Sequence, residues 1–205
     1  MFEISSKFIF PKQVIVSDDK QYPKYRSQLI EFCYEQLSKD REGQHYTNVG
    51  GWQSHPHNLL WDEKFNIFKE RLWENINECL NHQFMIQDNV YIDMPRLWIN
   101  ISGQNHYNVS HTHPMSHLTG VFYIKCLENC GNIEFISSSN ANDIQELSYR
   151  KNKIKDDNLM YESMSFSPVE GRLLLFPSSL IHLVCLNKSN SDRMSISFDL
   201  VFKSN

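Results

Sequence analysis

The chain has 205 residues, enough for one domain with a sizeable core and too few for two of ordinary size, so a single unit over 1–205 is expected. Its 20 basic and 24 acidic side chains leave a net charge of -4 with no basic run, which argues against a phosphate-tracking surface or a basic membrane helix. No apolar run approaches the roughly 18 residues that cross a bilayer, and the start MFEISSKFIFPKQ lacks the apolar centre of a secretory signal, so a soluble cytoplasmic protein is expected.

The first half of the chain reads as helical. Between Tyr22 and Leu37, the residues Tyr25, Leu29, Phe32, Cys33 and Leu37 recur at three- and four-residue steps and share one helical face, with Pro23 suited to the first turn. Phe65, Phe68, Leu72, Ile76 and Leu80 repeat the pattern after Asp62, a candidate N-cap. Helices therefore fall mainly within 22–82, and both are expected to pack on the outside of a sheet.

From about Val90 the pattern changes to short strand-like runs, RLWINI, LTGVFYIK, GNIEFI, SMSFS, GRLLLFP, HLVCLN and RMSISFDLVF, broken by Gly, Asn, Ser and Pro. A β core over 90–203 with flanking helices predicts a mainly β fold of the double-stranded β-helix (jelly roll) type rather than a parallel sheet. The polar stretch 138–159, which includes YRKNKIKDD, reads as a solvated loop or a lid over a site. The five cysteines, Cys33, Cys79, Cys126, Cys130 and Cys185, are odd in number and argue against a disulfide framework. Cys126 and Cys130 form a close pair but lack the two further ligands zinc would need, so reduced thiols are expected.

Three clusters carry chemistry. In SHTHPMSH, His111 and His113 lie two apart, so an extended backbone projects both imidazoles to one side, within reach of one ion. In EGRLLLFPSSLIH, an apolar strand closes at Pro177 and Ser178 and is followed by His182, which a jelly roll can bring beside the first pair. Three ligands on one face leave coordination positions open, as oxygen activation and a chelating cosubstrate both require. Arg193 opens the last strand, where its guanidinium can grip a carboxylate bidentately with Ser195 on the same side, which predicts a carboxylate-bearing cosubstrate. His117 is a possible substitute ligand. Asn100 reads as a turn residue or a site residue. Trp52, beside Gly50 and Gly51, reads as a core tryptophan in a turn or as a substrate-side wall. His55 and His57 repeat the two-residue spacing without a partner cluster and read as loop residues.

The ordered series HTHP, LTGVFYIK, GNIEF, EGRLLLFPSSLIH and DRMSISFDLVF resembles the 2-oxoglutarate/iron(II) oxygenases common in marine bacteria and their phages. The likeness runs from Asn48 to Phe202 and includes GGWQS around Trp52 and WIN around Trp98. It implies a jelly roll, iron(II), 2-oxoglutarate and molecular oxygen, with release of succinate and carbon dioxide, and a host-cytoplasm setting if the chain is phage-encoded. It also implies that His111, His113 and His182 bind metal, and that Arg193, Ser195 and Tyr123 hold the distal carboxylate of 2-oxoglutarate. The chain departs from the wider superfamily at His113, where an Asp or Glu usually stands; three neutral imidazoles make the site more cationic by one unit, which should alter its redox potential and weaken hard-ion binding. Two rival readings are a cupin-type metalloprotein with a three-His site and no need of 2-oxoglutarate, and a non-catalytic jelly-roll binding module. The primary substrate is not legible. No nucleic-acid partner is indicated, and pairing through the outer helices into a homodimer is an expectation.

Overall fold

The computed structural model describes residues 12–57, 59, 62–83, 89–137 and 163–204. The first strand, β1 (Ile15–Asp18), is followed by a 3-10 turn at Tyr22–Lys24 that carries Pro23, and then by α1 (Arg26–Lys39), which buries Leu29, Phe32 and Cys33. The predicted face is the buried one. Two short strands, β2 (Asn48–Val49) and β3 (Trp52–Gln53), precede the second helix. Asp62 is a cap as expected, its carboxylate accepting from the Lys64 amide at 2.9 Å, but it caps a 3-10 turn, Glu63–Phe65, that leads into α2 (Asn66–Gln83).

The β region then supplies β4 (Val90–Ser102), β5 (Tyr107–His111), β6 (Leu118–Lys125), β7 (Ile133–Ile136), β8 (Ser163–Phe166), β9 (Arg172–Pro177), β10 (Ile181–Val184) and β11 (Arg193–Ser204). These strands form two antiparallel sheets, a six-stranded one in the order β1-β9-β6-β11-β4-β3 and a five-stranded one in the order β2-β5-β10-β7-β8. This is the expected mainly β double-stranded β-helix with flanking helices. The stretch 138–159, read as a loop or lid, lies outside the described residues.

Alternation along the strands of the larger sheet sorts its residues onto two faces. Leu97, Ile99 and Ile101 of β4, Met194, Ile196, Phe198 and Leu200 of β11, and Leu118, Phe122 and Ile124 of β6 join Leu29, Phe32, Phe68, Leu72 and Ile76 of the helices in one core. The helices thus cover the outer face. The glycine at 120 makes this packing possible, because a Cβ there would stand 2.3 Å from Cζ of Phe198. A smaller core of Val121, Tyr123, Ile133, Phe135, Leu174 and Phe176 joins the inner faces of the two sheets.

The switch between sheets decides where the histidines go. After β9, a turn closed by the Leu180 amide on the Pro177 carbonyl at 3.0 Å sends the chain into the other sheet, where β10 pairs with β5 in a register that sets His182 opposite His111. His111 closes β5 in the smaller sheet, and the chain crosses over before β6 begins. Met115, with φ of 67°, sits in that crossing.

Candidate metal centre and cosubstrate pocket

The inner face of the larger sheet carries a second set of side chains from the same strands. Register places Gln53, Asn100, Ser195 and Tyr123 in one cross-strand row, and Arg96, Asp199 and Thr119 in another. These rows, with Trp98, Ser197 and Arg193, line one wall of a cavity of about 290 Å³; His111, His113, His182 and Val184 come from the facing side. That volume is close to the lower bound, roughly 300 Å³, of ordinary small-molecule sites.

At one end of the cavity the three histidines converge. Their candidate ligand atoms lie within 4.8 Å of one another, and the ring centroids are 4.3 Å apart for His111 and His182 and 5.2 Å for each pair involving His113. The Nδ1 of His111 meets the Val109 carbonyl at 2.7 Å, and that of His182 meets the Leu180 carbonyl at 2.9 Å. The Nδ1 of His113 faces Oδ1 of Asp199 at 2.9 Å. His111 and His182 therefore each have a hydrogen-bond acceptor against Nδ1, which assigns the proton there and leaves Nε2 as the free donor nitrogen, while His113 turns Nδ1 toward the Asp199 carboxylate.

The surroundings favour the neutral form of His111 and His182. Burial, and then the neighbouring His111, push His182 down to about 3, and burial also lowers His111 by more than the Val109 carbonyl raises it. Only an unprotonated imidazole nitrogen can ligate a metal. Three imidazole nitrogens suit iron as well as zinc, copper and nickel, so the donor set fits ferrous iron. Trp98 stacks on His113 with centroids 5.8 Å apart, and Phe176 meets His182 edge-on at 5.0 Å, which limits ring rotation.

At the other end lies Arg193, 4% exposed, its Nη1 donating to the carbonyls of Cys130 at 2.9 Å and Gly131 at 3.2 Å. Burial lowers its pKa from the ordinary value, the consequence of withdrawing a guanidinium from water. Gly131, with φ of 95°, leaves room for this contact: a Cβ there would lie 2.8 Å from Nη1. Tyr123 and Ser195, both buried, stand side by side on β6 and β11 and also line the cavity. Asn100 lines it too, donating to Ser197 Oγ at 3.1 Å.

Of the two readings of Trp52, the structure supports the core tryptophan and not the substrate-side wall. It pairs with Ile101, on the helix-facing side of the sheet, and joins the core there, its Nε1 donating to the Asp40 carbonyl at 2.7 Å. The adjacent Gln53 faces the cavity instead, because successive strand residues point to opposite sides. His117 also lies away from the histidine cluster: it stacks on Phe202, and its Nδ1 accepts from the Phe202 amide at 3.1 Å. His55 and His57 lie near each other, centroids 5.5 Å apart, and belong to no metal-binding group among the described residues. All five cysteines are free thiols.

Two cavity residues, Asp199 and Arg96, were not among those suggested by the sequence. Asp199 is fully buried, with Arg96 Nε 2.7 Å from its Oδ2. The signal was present, since a charged residue in the apolar alternation of SISFDLVF falls on the same parity as Arg193 and Ser195.

A family model, 2OG-Fe(II) oxygenase, matches residues 96–199, from Arg96 on β4 to Asp199 on β11. Similar solved structures include a prolyl-4-hydroxylase from Pseudomonas putida, 10% identical over 93% of this chain and 92% of that chain, with a TM-score of 0.58. A prolyl hydroxylase from Trichoplax adhaerens, in complex with a hypoxia inducible factor peptide fragment, is 12% identical over 92% and 83%, with a TM-score of 0.61. HygX from Streptomyces hygroscopicus, with nickel and 2-oxoglutarate bound, is 10% identical over 93% and 83%, with a TM-score of 0.58. At these identities the likeness establishes a shared fold. No curated protein matches the sequence.

Proposed function

Because the chain belongs to the 2OG-Fe(II) oxygenase family, we propose that His111, His113 and His182 hold its iron and that Arg193, with Ser195 and Tyr123, holds the distal carboxylate of 2-oxoglutarate. The activity is that of an iron(II)- and 2-oxoglutarate-dependent oxygenase, in which metal and cosubstrate supply the oxidising chemistry. The protein's part is to bind, orient and exclude water.

One observation carries the assignment. Three imidazoles with their Nδ1 atoms turned to acceptors converge at one end of a cavity whose other end holds a buried guanidinium. The guanidinium is already anchored through Nη1, so its remaining donors can meet a carboxylate without reorganisation. Tyr123 and Ser195 add hydroxyls on the same wall, and Val121, Ile133 and Phe176 supply apolar contact for a short methylene chain. Asn100 and Gln53, farther along the row that contains Ser195, are placed to meet the primary substrate.

Anaerobic titration of the metal-free protein with iron(II), then with 2-oxoglutarate, tests this reading. The expected result is stoichiometric iron binding followed by the weak visible charge-transfer band of a chelated keto acid. His182→Ala should abolish metal binding, and Arg193→Ala should keep the metal but raise the 2-oxoglutarate concentration needed for the band. Iron bound without the band would overturn the cosubstrate assignment. Undiminished iron binding by His182→Ala would overturn the ligand set.

A further inference from the structure

The ligand pair His111 and His113 contains no carboxylate, yet a carboxylate reaches the same place from another strand. Asp199, on the inner face of β11, is fully buried, and both its oxygens are withdrawn from water. Neither oxygen meets an aligned hydrogen-bond donor among the described residues; what approaches are two cationic or potentially protonated nitrogens, Arg96 Nε at 2.7 Å from Oδ2 and His113 Nδ1 at 2.9 Å from Oδ1. A buried carboxylate held in this way is costly unless its neighbours present protons to it. Arg96 brings a permanent positive charge to Oδ2, and His113 can present a proton to Oδ1 in the tautomer that carries it on Nδ1, which is also the tautomer whose Nε2 is free to ligate.

His111 and His182 turn Nδ1 to neutral backbone carbonyls, whereas His113 turns it to a charged side chain. We propose that Asp199 is the positioning residue of the metal centre: clamped by Arg96, it fixes His113 in the Nδ1–H tautomer with Nε2 toward the ion, and raises the donor strength of that imidazole. A carboxylate against the far nitrogen of a ligating imidazole orients the ring and increases its basicity. This contact supplies, at one remove, part of the negative character that a direct carboxylate ligand would give the site. Arg96 ties the arrangement to the chain between His113 and β6: its Nη2 donates to the Pro114 carbonyl at 3.2 Å and to Ser116 Oγ at 3.1 Å. Thr119, whose hydroxyl donates to the Phe198 carbonyl at 2.9 Å, also approaches His113 Nδ1, at 3.5 Å against 2.9 Å for Asp199.

The inference rests on the three-histidine ligand set proposed above, and the test separates the two. Cobalt(II) is titrated by chelator competition into wild type, Asp199→Asn and Asp199→Ala, with the thermal midpoint of each metal-free protein measured in parallel. Wild type should bind cobalt at one site, and both variants should bind it about 10- to 100-fold more weakly. Their cobalt absorption bands should shift, while the metal-induced gain in thermal midpoint falls by more than any change in the metal-free midpoint. Equal cobalt affinity and unchanged bands in folded variants would remove Asp199 from this role and leave the ligand set standing; no cobalt binding by wild type would overturn the ligand set itself. A second measurement does not depend on the variants folding. Long-range ¹⁵N–¹H correlation spectra of zinc-loaded wild type should show His113 protonated on Nδ1 and metallated on Nε2, and the opposite tautomer would overturn the proposal.

Discussion

The two faces of the six-stranded sheet are made by alternate residues of the same strands, and on β4 and β11 they differ sharply in chemistry. Outward, β4 and β11 present Leu97, Ile99, Ile101, Met194, Ile196, Phe198 and Leu200 to the helices; inward, they present Arg96, Trp98, Asn100, Arg193, Ser195, Ser197 and Asp199 to the cavity. The outer set is apolar, close-packed and paired with α1 and α2. The inner set is polar, includes two fully or nearly fully buried charges, and faces the histidines. The difference teaches that stability and chemistry are divided by strand parity, so neighbouring residues should fail in different ways when changed.

The sharpest break should come on the outer face. Phe198→Ala is expected to cost about 3–5 kcal/mol of unfolding free energy in urea, because it removes a ring packed over Gly120 and leaves a cavity. Ser197→Ala, one residue away and facing inward, should cost about 1 kcal/mol or less. Similar losses from the two would erase the distinction between the faces.

On the inner face, Arg193→Lys keeps a positive charge but loses the planar fork. The apparent KM for 2-oxoglutarate should rise roughly 30-fold, corresponding to a loss of about 2 kcal/mol, with metal affinity unchanged. Unaltered 2-oxoglutarate dependence would detach Arg193 from the cosubstrate.

The clamp between helix and sheet gives a pH-dependent version of the outer-face test. The Asp19 carboxylate accepts from both Arg71 Nε at 3.0 Å and Nη2 at 2.9 Å, and from the Tyr25 hydroxyl and the Gln21 amide. Burial acts to raise its pKa, but these hydrogen bonds together outweigh it and hold the group below the ordinary carboxylate value. A lowered folded-state pKa means stabilisation that is complete above the unfolded value, about 4, and is lost as pH falls through the folded value. Asp19→Asn should therefore cost roughly 1–2 kcal/mol at neutral pH, with the gap to wild type closing in acid and metal affinity untouched throughout. A gap independent of pH would mean that packing, not the charge, supplies the effect.

The smallest expected effect tests parity at the sheet edge. Trp52→Phe should lose about 1 kcal/mol with its bond to Asp40 and leave catalysis unchanged, whereas Gln53→Ala should alter turnover with little loss of stability. The reverse pattern would place Trp52, not Gln53, at the site.

Much of this was legible in the residues alone. The helical faces of α1 and α2 follow from three- and four-residue spacing, and the later strands from short runs between turn residues; the structure has buried the predicted helix positions Leu29, Phe32, Cys33, Leu72, Ile76 and Leu80. His111, His113, His182 and Arg193 stood out as a series because their side-chain chemistry is distinctive in otherwise apolar or turn-rich segments. Trp52 was ambiguous for a physical reason. A two-residue strand is too short for its own alternation to reveal which side is buried, and only its pairing with β4 decides.

The sequence by itself determined the period of each segment, the identity of the three imidazoles and the presence of a guanidinium at the start of the last strand, because these are local properties of spacing and side-chain type. Tertiary structure alone decided which sheet receives β5 and β10, which acceptor each Nδ1 meets, and that Asp199 faces His113 across strands distant in the chain. Those contacts depend on register and on the crossover between sheets, and a one-residue slip in either would send the same side chains to the opposite face.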